Sequence, residues 1–469
     1  MKHQEQIEAY WSDPAREREL VGAIARLVNV KSVKGDPEPG KPFGPGPAAA
    51  LDEALALCRE LGFSTSDYDH YVGLADLNDK ETRLHILGHL DVVGEGSGWD
   101  TDPYTCVEKD GMLYGRGVSD DKGPVVCALL AMKAVRDLGL PLSANVRCIL
   151  GTDEESGSAD IAYYYAREPY APMAFTPDAD FPLIHIEKGH YHPDFGAQWE
   201  SSDAKPRVAA LTGGFRTNVV PPEAEAMVLG LYAHDVEPVC DRVAARTGAV
   251  FTVSSSASGC HIHCAGKNAH AASPDGGINA IAALLEVLAA LPLAGCAGTD
   301  AIRSMHELFP FGDNRGRALG IAQSDAVSGA LTLAFSLLEV NKHGLSGRFD
   351  SRFPLCATEE NCKLAAEAAF AKFGFTVEGG MDAPHHTDAD SPFVQTLLRC
   401  YEAYTGRTGE CLAIGGGTYV HDIPGGVAFG CQFPGFDPKM HAANEQARID
   451  QLLLSCKIFT QAIAELCGG

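Results

Sequence analysis

The chain has 469 residues, of which 45% are hydrophobic and 21% charged, and a net charge of −25 at pH 7. This length exceeds what one hydrophobic core organises and predicts two or three globular domains. The negative charge argues against a nucleic-acid partner, no apolar run is long enough to span a membrane, and the polar N-terminus shows no signal peptide. The fifteen cysteines are therefore interpreted as reduced thiols of a cytoplasmic protein.

Two helices and a loop are predicted before the first strand. Leu20, Ile24 and Leu27 recur at helical spacing within residues 16–28. Residues 35–47 are rich in proline and glycine and predict a loop. Part of it resembles a phosphate-binding loop, but Pro42 stands where that motif needs serine or threonine, so nucleotide binding is rejected. A second helix is predicted over residues 49–61.

The next segment alternates strands with a helix. Strands are predicted over residues 84–88, 145–150 and 173–175, and a helix over residues 122–138. Each strand is followed by polar residues, and open α/β sheets bind ligands beyond the carboxyl ends of their strands. The pattern predicts an α/β domain with a site at that edge.

From residue 188 the pattern changes to two successive sets of strands and helices. Strands are predicted over residues 208–211, 226–232, 260–265, 329–339, 345–353 and 375–378, and helices over residues 236–246, 274–291 and 358–373. A closing helix is predicted over residues 446–466. We therefore expect a mixed-sheet catalytic domain in two parts, residues 1–187 and 382–469, and an inserted α+β lid domain, ferredoxin-like and doubled, at residues 188–381.

One cysteine- and histidine-rich strand has the residue types of a zinc site. Because side chains alternate along a strand, Cys260 and Cys264 share one face while His261 and His263 share the other. Structural burial of the cysteines is favoured over metal binding.

The polar groups at strand ends form a stronger candidate for metal chemistry. They are His89, Asp91, Asp120, Glu154, Glu155 and Asp178, to which His441 is added. Histidines and carboxylates together suit a pair of divalent metals such as Zn²⁺ or Mn²⁺. Asp91 can accept the second ring N–H of His89. Of the adjacent Glu154 and Glu155, one can ligate while the other faces a water as general base.

These residues lie in motifs that resemble the di-metal peptidases of clan MH, the family of aminoacylase, carboxypeptidase G, desuccinylases and bacterial dipeptidases of the PepV and carnosinase-like type. The PepV-like branch is the most similar. The matching stretches are Gly88-His89-Leu90-Asp91, Gly115-Arg116-Gly117-Val118-Ser119-Asp120-Asp121-Lys122-Gly123, Thr152-Asp153-Glu154-Glu155-Ser156-Gly157, Phe175-Thr176-Pro177-Asp178-Ala179-Asp180-Phe181-Pro182 and Met440-His441.

The resemblance implies a role for each metal-site residue. It implies that His89 and Asp178 bind one metal, that Glu155 and His441 bind the other, and that Asp120 bridges the two. Asp91 would orient His89, and Glu154 would act as general base and acid. Zn²⁺ is the first choice for both metals, with Mn²⁺ and Co²⁺ as alternatives.

The resemblance also implies substrate contacts. His270, in Gly266-Lys267-Asn268-Ala269-His270, would polarise the scissile carbonyl. Asn218, Arg352, Gly416 and Thr418 would hold the C-terminal carboxylate of a small peptide.

A metal-dependent dipeptidase is the preferred function, and a monomer is favoured over a homodimer. An N-acyl amino acid deacylase or desuccinylase of the same family is the alternative enzyme. A non-catalytic metal- or peptide-binding relative is disfavoured because neither a ligand nor Glu154 is lost. A serine hydrolase and a single-zinc protease are disfavoured because Gly-x-Ser-x-Gly and His-Glu-x-x-His do not occur.

Overall fold

The computed structural model describes all residues, Met1–Gly469, in two compact units. The first comprises Met1–Ile186, His385–Leu412 and Gly417–Gly469, and the second comprises Glu187–Pro384 and Ala413–Gly416. The second unit therefore interrupts the first along the chain. The predicted mixed α/β domain with an inserted α+β domain is confirmed. None of the helices combines the length and apolar character that crossing a bilayer requires.

The first unit is organised around one mixed sheet. Its strands follow the spatial order Ser64–Tyr68, Val72–Asp76, Asn145–Gly151, Thr82–His89, Met173–Thr176, Gly426–Ala428, Leu183–Glu187 and His385–His386. Thr82–His89 pairs in parallel with both Asn145–Gly151 and Met173–Thr176. The carboxyl ends of these three central strands therefore meet at one edge.

Both faces of this sheet are buried, as expected for parallel strands. Ile86 packs into the larger apolar cluster of the unit, whereas its neighbour Leu87 packs into a separate cluster on the opposite face. Side chains from the neighbouring strands and from the covering helices complete both clusters. The helices of this unit are Gln4–Trp11, Pro14–Val28, Pro45–Glu60, Lys122–Asp137, Ala159–Tyr165, Pro392–Thr405 and Ile449–Cys467.

Two helices in the first unit begin three or more residues away from their predicted starts. The second predicted helix begins four residues early, at Pro45, because a proline in the first turn needs no N–H partner. The closing helix begins at Ile449 rather than at residue 446. Gln446–Arg448 is instead a strand that pairs with Met112–Tyr114. Local periodicity does not report this long-range pairing.

Short elements complete the first unit. The strand Val107–Lys109 pairs with Met112–Tyr114, and Ala179–Asp180 pairs with Cys431–Gln432. Two 3-10 turns cover Glu154–Ser156 and Tyr419–Asp422. A further strand, Cys411–Ile414, begins in the first unit and ends in the second along the chain.

The second unit contains a large antiparallel sheet with helices packed into its core. The strands follow the order Val250–Ser255, Gly259–Ala265, Glu223–Leu229, Arg207–Gly213, Thr332–Asn341, Gly344–Phe353, Gly189–Tyr191 and Met381–Asp382. Asp194–Gln198 pairs with Gly344–Phe353 and with Thr376–Glu378. Smaller ladders join Val219–Val220 to Ala269–His270 and Ser324–Asp325 to Gly329–Ala330. The helices are Ala233–Thr247, Ala280–Ala290, Ala297–Leu308 and Leu364–Ala371, the last preceded by a π-type turn at Glu359–Lys363.

In the second unit, two predicted helices differ from the structure and one helix is present that was not predicted. The predicted helix over residues 274–291 is split into a 3-10 turn, Pro274–Gly276, and the helix Ala280–Ala290. Ile278 exchanges backbone hydrogen bonds with Lys267, and the Asn279 side chain caps the helix that follows. The predicted helix over residues 358–373 begins with the π-type turn, and the helix Ala297–Leu308 was not predicted.

The strand Gly259–Ala265 shows the expected alternation. Cys260, Ile262 and Cys264 are buried in the apolar cluster of the second unit, while His261 and His263 lie on the more exposed face. The cysteines therefore serve as small buried apolar residues.

Candidate metal centre

The three central parallel strands of the first unit end in the predicted ligands. His89 is the last residue of Thr82–His89, Glu154 and Glu155 follow Asn145–Gly151, and Asp178 follows Met173–Thr176. Because these strands are neighbours, their polar ends converge. Asp120 joins them just before the buried helix Lys122–Asp137, and His441 comes from the loop ahead of Gln446–Arg448.

His89 is fully buried, and hydrogen bonds fix its ring orientation. Its Nδ1 atom lies 2.9 Å from the backbone oxygen of Asp91 and 3.5 Å from the carboxylate oxygen Oδ1 of the same residue. The backbone carbonyl is thus the nearer acceptor, which refines the expected role of Asp91. A proton on Nδ1 leaves Nε2 free to ligate, 3.0 Å from Asp120 Oδ1 and 3.5 Å from Asp178 Oδ2.

The Asp91 carboxylate has a second function in the fold. Its two oxygens accept the backbone N–H groups of Glu154 and Glu155, each at 3.1 Å. Asp91 therefore holds the turn that presents both glutamates, as well as the ring of His89.

Asp120 lies between the two histidines. Its Oδ1 faces His89, and its Oδ2 lies 2.9 Å from His441 Nε2, which is in turn 3.2 Å from Glu155 Oε2. Burial alone would raise the pKa of Asp120, but the hydrogen bonds from His441 and His89 outweigh it and hold the pKa below its usual range. One carboxylate thus presents an oxygen to each half of the site.

Two groups of candidate metal ligands result, and within each the ligand atoms lie within 4.8 Å of one another. The first group is His89, Glu154 and Asp178, and the second is Asp120, Glu155 and His441. Glu154, which we predicted as the base, thus also lies among the ligand atoms. Imidazole nitrogens and carboxylate oxygens are the donors that Zn²⁺ and Mn²⁺ take in proteins.

The electrostatics of the site favour the binding of cations. Burial, reinforced by the neighbouring Asp178 carboxylate, raises the pKa of Glu154 well above its usual range despite the opposing charge of His89. Hydrogen bonds to Asp120 and then to Glu155 raise the pKa of His441 to about 11. Four carboxylates cluster here with only two imidazoles. Divalent cations would compensate this negative charge, so the donor set fits such ions.

Buried groups that we did not predict support this centre. Glu445 is fully buried, pairs with Arg116 at 2.7 Å, and accepts the backbone N–H groups of Gly117, Ser119 and Asp120. Arg116 lies in a stretch quoted for the resemblance and Glu445 follows another, but 329 positions separate the two residues. No local spacing could have revealed the pair.

A second buried carboxylate, that of Asp160, supports the residues just before Glu154. Asp160 accepts the backbone N–H groups of Thr152 and Asp153 and the hydroxyl of Tyr419. The ring of Tyr419 contacts His89 edge-on, with 6.3 Å between ring centroids. Asp160 and Tyr419 therefore brace the strand end from which Glu154 follows.

Four of the five predicted substrate contacts lie in the second unit. Asn218 and His270 are brought together, because Val219 pairs with His270 and the backbone oxygen of Asn218 accepts the N–H of Ala271 at 2.9 Å. Arg352 is buried and donates to the backbone oxygen of Gly415 at 2.9 Å, next to Gly416. A β-carbon added at Gly415 would lie 2.8 Å from Ala272 Cβ, so only glycine fits between these groups.

Thr418, the fifth predicted contact, belongs to the first unit. Its hydroxyl accepts the backbone N–H of Val420 at 3.3 Å and caps the 3-10 turn Tyr419–Asp422. Thr418 therefore fixes the start of the turn that carries Tyr419.

Comparisons with known proteins identify the family to which the chain is similar. The model of Peptidase family M20/M25/M40 matches residues 85–465. The protein named "Putative dipeptidase YtjP" of Bacillus subtilis (strain 168) is 34% identical over 458 residues, covering 96% of this chain and 98% of that protein. Beta-Ala-Xaa dipeptidase of Lactobacillus delbrueckii subsp. lactis is 31% identical over 427 residues, covering 91% and 90%.

A solved structure shows the same fold. Human carnosine dipeptidase 1 has a TM-score of 0.59 at 17% identity, covering 100% of this chain and 99% of that one. The family match spans all seven residues predicted for the metal site. The chain belongs to peptidase family M20/M25/M40.

Proposed function

We propose that this peptidase is a metal-dependent dipeptidase that hydrolyses the peptide bond of dipeptides with a free C-terminal carboxylate. The observation that carries the proposal is the position of Asp120, whose two carboxylate oxygens face His89 and His441 separately. The two relatives named as dipeptidases, which match along most of the chain, support the substrate class.

The proposed site holds two divalent metal ions, Zn²⁺ by first choice and Mn²⁺ or Co²⁺ as alternatives. His89 and Asp178 would hold one ion, Glu155 and His441 the other, and Asp120 both. When bound, such ions supply Lewis-acid activation of the nucleophilic water and of the substrate carbonyl.

The proposed role of Glu154 is to carry a proton. Its carboxylate lies with His89 and Asp178 in the first ligand group, so it faces the interior of the site. There it would take a proton from the attacking water and deliver it to the leaving amine. Asp91 would keep Glu154 in place through the backbone N–H that it accepts.

The proposed substrate contacts come from residues that their surroundings hold in place. His270 would donate to the oxygen of the scissile carbonyl, where charge develops in the transition state. Asn218, Arg352, Gly416 and Thr418 would bind the C-terminal carboxylate. The ladder between Val219–Val220 and Ala269–His270 and the bond from Arg352 to Gly415 support these assignments.

We further propose that the enzyme works in the cytoplasm as a monomer. All fifteen cysteines are unpaired, as is usual for a reducing compartment. Light scattering after size exclusion tests the oligomeric state, and a stable dimer would contradict the monomer.

The deciding experiment combines metal analysis with a substrate panel. The protein is loaded with Zn²⁺, Mn²⁺ or Co²⁺, its bound metal is counted, and turnover is compared for dipeptides, dipeptide amides and N-acyl amino acids. We expect two ions per chain and the highest kcat/KM on dipeptides, with amides much poorer. Preference for N-acyl amino acids would assign a deacylase instead, and full metal loading without turnover of any member would contradict the enzyme.

A further inference from the structure

Arg352 belongs to a polar cluster contained within the second unit. The strand Gly189–Tyr191 runs antiparallel to the end of Gly344–Phe353, with His190 directly opposite Arg352. Asp350, two residues before Arg352, shares its face of the sheet. Asp350 is fully buried and Arg352 nearly so.

The donors of Arg352 are almost all used inside the protein. Nε and Nη2 donate to the two carboxylate oxygens of Asp350, at 2.7 and 2.8 Å. Nη1 donates to Nε2 of His190 at 2.8 Å and to the backbone oxygen of Gly415 at 2.9 Å. A guanidinium has five N–H donors. These four bonds leave a single N–H, on Nη2, for a ligand.

The contact between Arg352 and His190 sets the state of the imidazole. A guanidinium only donates hydrogen bonds, so Nε2 of His190 must be the acceptor and carry no proton. His190 is therefore neutral, with its ring proton on Nδ1. A second proton would remove the acceptor and place a cation against Arg352.

Other titratable groups face the same cluster. His192 stacks on His190, with ring centroids 5.5 Å apart, and its Nε2 lies 3.1 Å from Asp350 Oδ1. Asp382 is opposite His190 on the strand at its other side. Burial alone would raise the pKa of Asp350, but bonds from His192 and Arg352 lower it to about 2, so Asp350 stays an anion. Asp350 thus fixes Nε and Nη2 of Arg352, whereas the orientation of Nη1 depends on His190.

We propose that His190, in its neutral form, is a positioning residue that holds Arg352 so that its one remaining N–H points to the C-terminal carboxylate of the substrate. This inference rests on the proposed dipeptidase function. It changes the expected contact, because Arg352 donates one bond to the substrate rather than the two-bonded fork that its residue type suggests. Nη1 of Arg352 donates to both His190 and the backbone oxygen of Gly415. Loss of His190 would therefore also shift the backbone at Gly415.

The kinetic test compares His190→Ala and His190→Gln in the metal-loaded enzyme on one dipeptide. His190→Ala should raise KM about 10-fold with kcat within about 3-fold, the loss of one oriented hydrogen bond. His190→Gln, whose side-chain oxygen can accept from Nη1, should recover most of the loss. His343→Gln, an exposed histidine of the same unit, should match the wild type. An unchanged KM in His190→Ala would overturn the proposal.

The pH profile separates positioning from general structural damage. Once the pH is low enough to protonate His190, the wild-type KM should rise, because protonated His190 releases Arg352. His190→Gln should lack that rise. Identical slopes in the two proteins would show that His190 does not set this dependence.

A double-mutant cycle and a spectroscopic readout complete the test. In an Arg352→Met background, His190→Ala should raise KM no further, because His190 acts on the substrate only by orienting Arg352. If His190→Ala raises KM as much in this background as in the wild type, His190 does not act through Arg352. Nitrogen-15 spectra should show the neutral Nδ1–H form of His190 at neutral pH, lost in Arg352→Met. If the spectra show the Nδ1–H form but no dipeptide is cleaved, the proposed dipeptidase function is wrong while the positioning of Arg352 by His190 is retained. A spectrum of the opposite tautomer, with the proton on Nε2, would overturn the positioning role.

Discussion

The carboxylate of Glu445 lies 2.7 Å from Nη1 of Arg116, and both side chains are almost completely buried. The same carboxylate accepts the backbone N–H groups of Gly117, Ser119 and Asp120. It therefore fixes the loop that presents Asp120, while Glu445 itself follows four residues after His441. The pair connects the chain segments that supply Asp120 and His441, two of the three residues in the second group of candidate ligands.

Glu445→Gln should weaken metal binding although it alters none of the candidate metal ligands. Arg116 would keep its charge in a buried position with a weaker partner, which lowers the free energy of unfolding by about 3 kcal/mol. Looser support of Asp120 should weaken metal affinity by about 10- to 100-fold. Titration of the metal-free protein measures the affinity, and Glu108→Gln, at an exposed glutamate, is the matched control. Equal affinities in both variants would show that Glu445 does not support the site.

Asp91→Asn should lower turnover more than metal content. The amide has one oxygen for the two backbone N–H groups of Glu154 and Glu155, so one of them loses its acceptor. We expect kcat to fall by about 10- to 100-fold while the bound metal stays near the wild-type level. Elemental analysis and steady-state kinetics on the same samples check this. A loss of metal that parallels the loss of activity would assign Asp91 to metal retention through His89 instead.

The convergence of the candidate metal ligands could be predicted because each follows a recognisable local pattern. His89 ends a buried strand, Glu155 and Asp178 lie within four residues of the ends of two others, and neighbouring parallel strands bring these ends together. Supporting contacts such as Glu445 with Arg116 and Tyr419 with Asp160 join residues hundreds of positions apart. Burial and partner choice at such distances depend on the folded chain, so the sequence alone did not reveal them.

The fold shows the same division between local and long-range information. The helix Lys122–Asp137 was predicted almost to the residue because its apolar positions and termini are local signals. The start of the closing helix was wrong because Gln446–Arg448 is drawn into a strand by pairing with residues more than 300 positions earlier. The split near Ile278 has a similar cause, the backbone bonds to Lys267.

Glu154→Gln should retain metal and lose turnover. Glutamine keeps the shape of the side chain but cannot take a proton from the attacking water, so kcat should fall by about 10²- to 10⁴-fold. Metal content and kcat are measured together, with Glu108→Gln again as the exposed control. Near-normal turnover at full metal occupancy would rule out Glu154 as the base. A loss of metal would instead show that Glu154 acts as a ligand, as its place in the first ligand group allows.

His270→Ala should reduce kcat far more than metal content. His270 lies in the second unit, and its Nδ1 accepts the backbone N–H of Ala272 at 3.1 Å, which orients the ring. Removal of one donor to the developing oxyanion should cost about 10²- to 10³-fold in kcat. His343→Gln controls for histidine loss elsewhere in the unit. If His270→Ala loses its metal, His270 is a ligand and its assigned role is wrong.

His85 should make the first unit sensitive to mild acid. It is 3% exposed on the strand Thr82–His89, and its Nδ1 lies 2.9 Å from the hydroxyl of Tyr165. Burial, with a further contribution from the charge of Arg147, lowers the pKa of His85 to about 4. Because this lies below the unfolded value of about 6.5, the unfolded chain binds the proton first and stability falls as the pH drops between these values.

The expected loss is about 3 kcal/mol between pH 7 and pH 4. Urea denaturation of the wild type and of His85→Gln at a series of pH values measures it, because glutamine can still bond to Tyr165 but does not titrate. Carboxylates and metal release affect both proteins alike, so the difference between their curves isolates His85. His234→Gln, at an exposed histidine, should follow the wild type at every pH. Parallel curves for the wild type and His85→Gln would show that His85 does not titrate in this range.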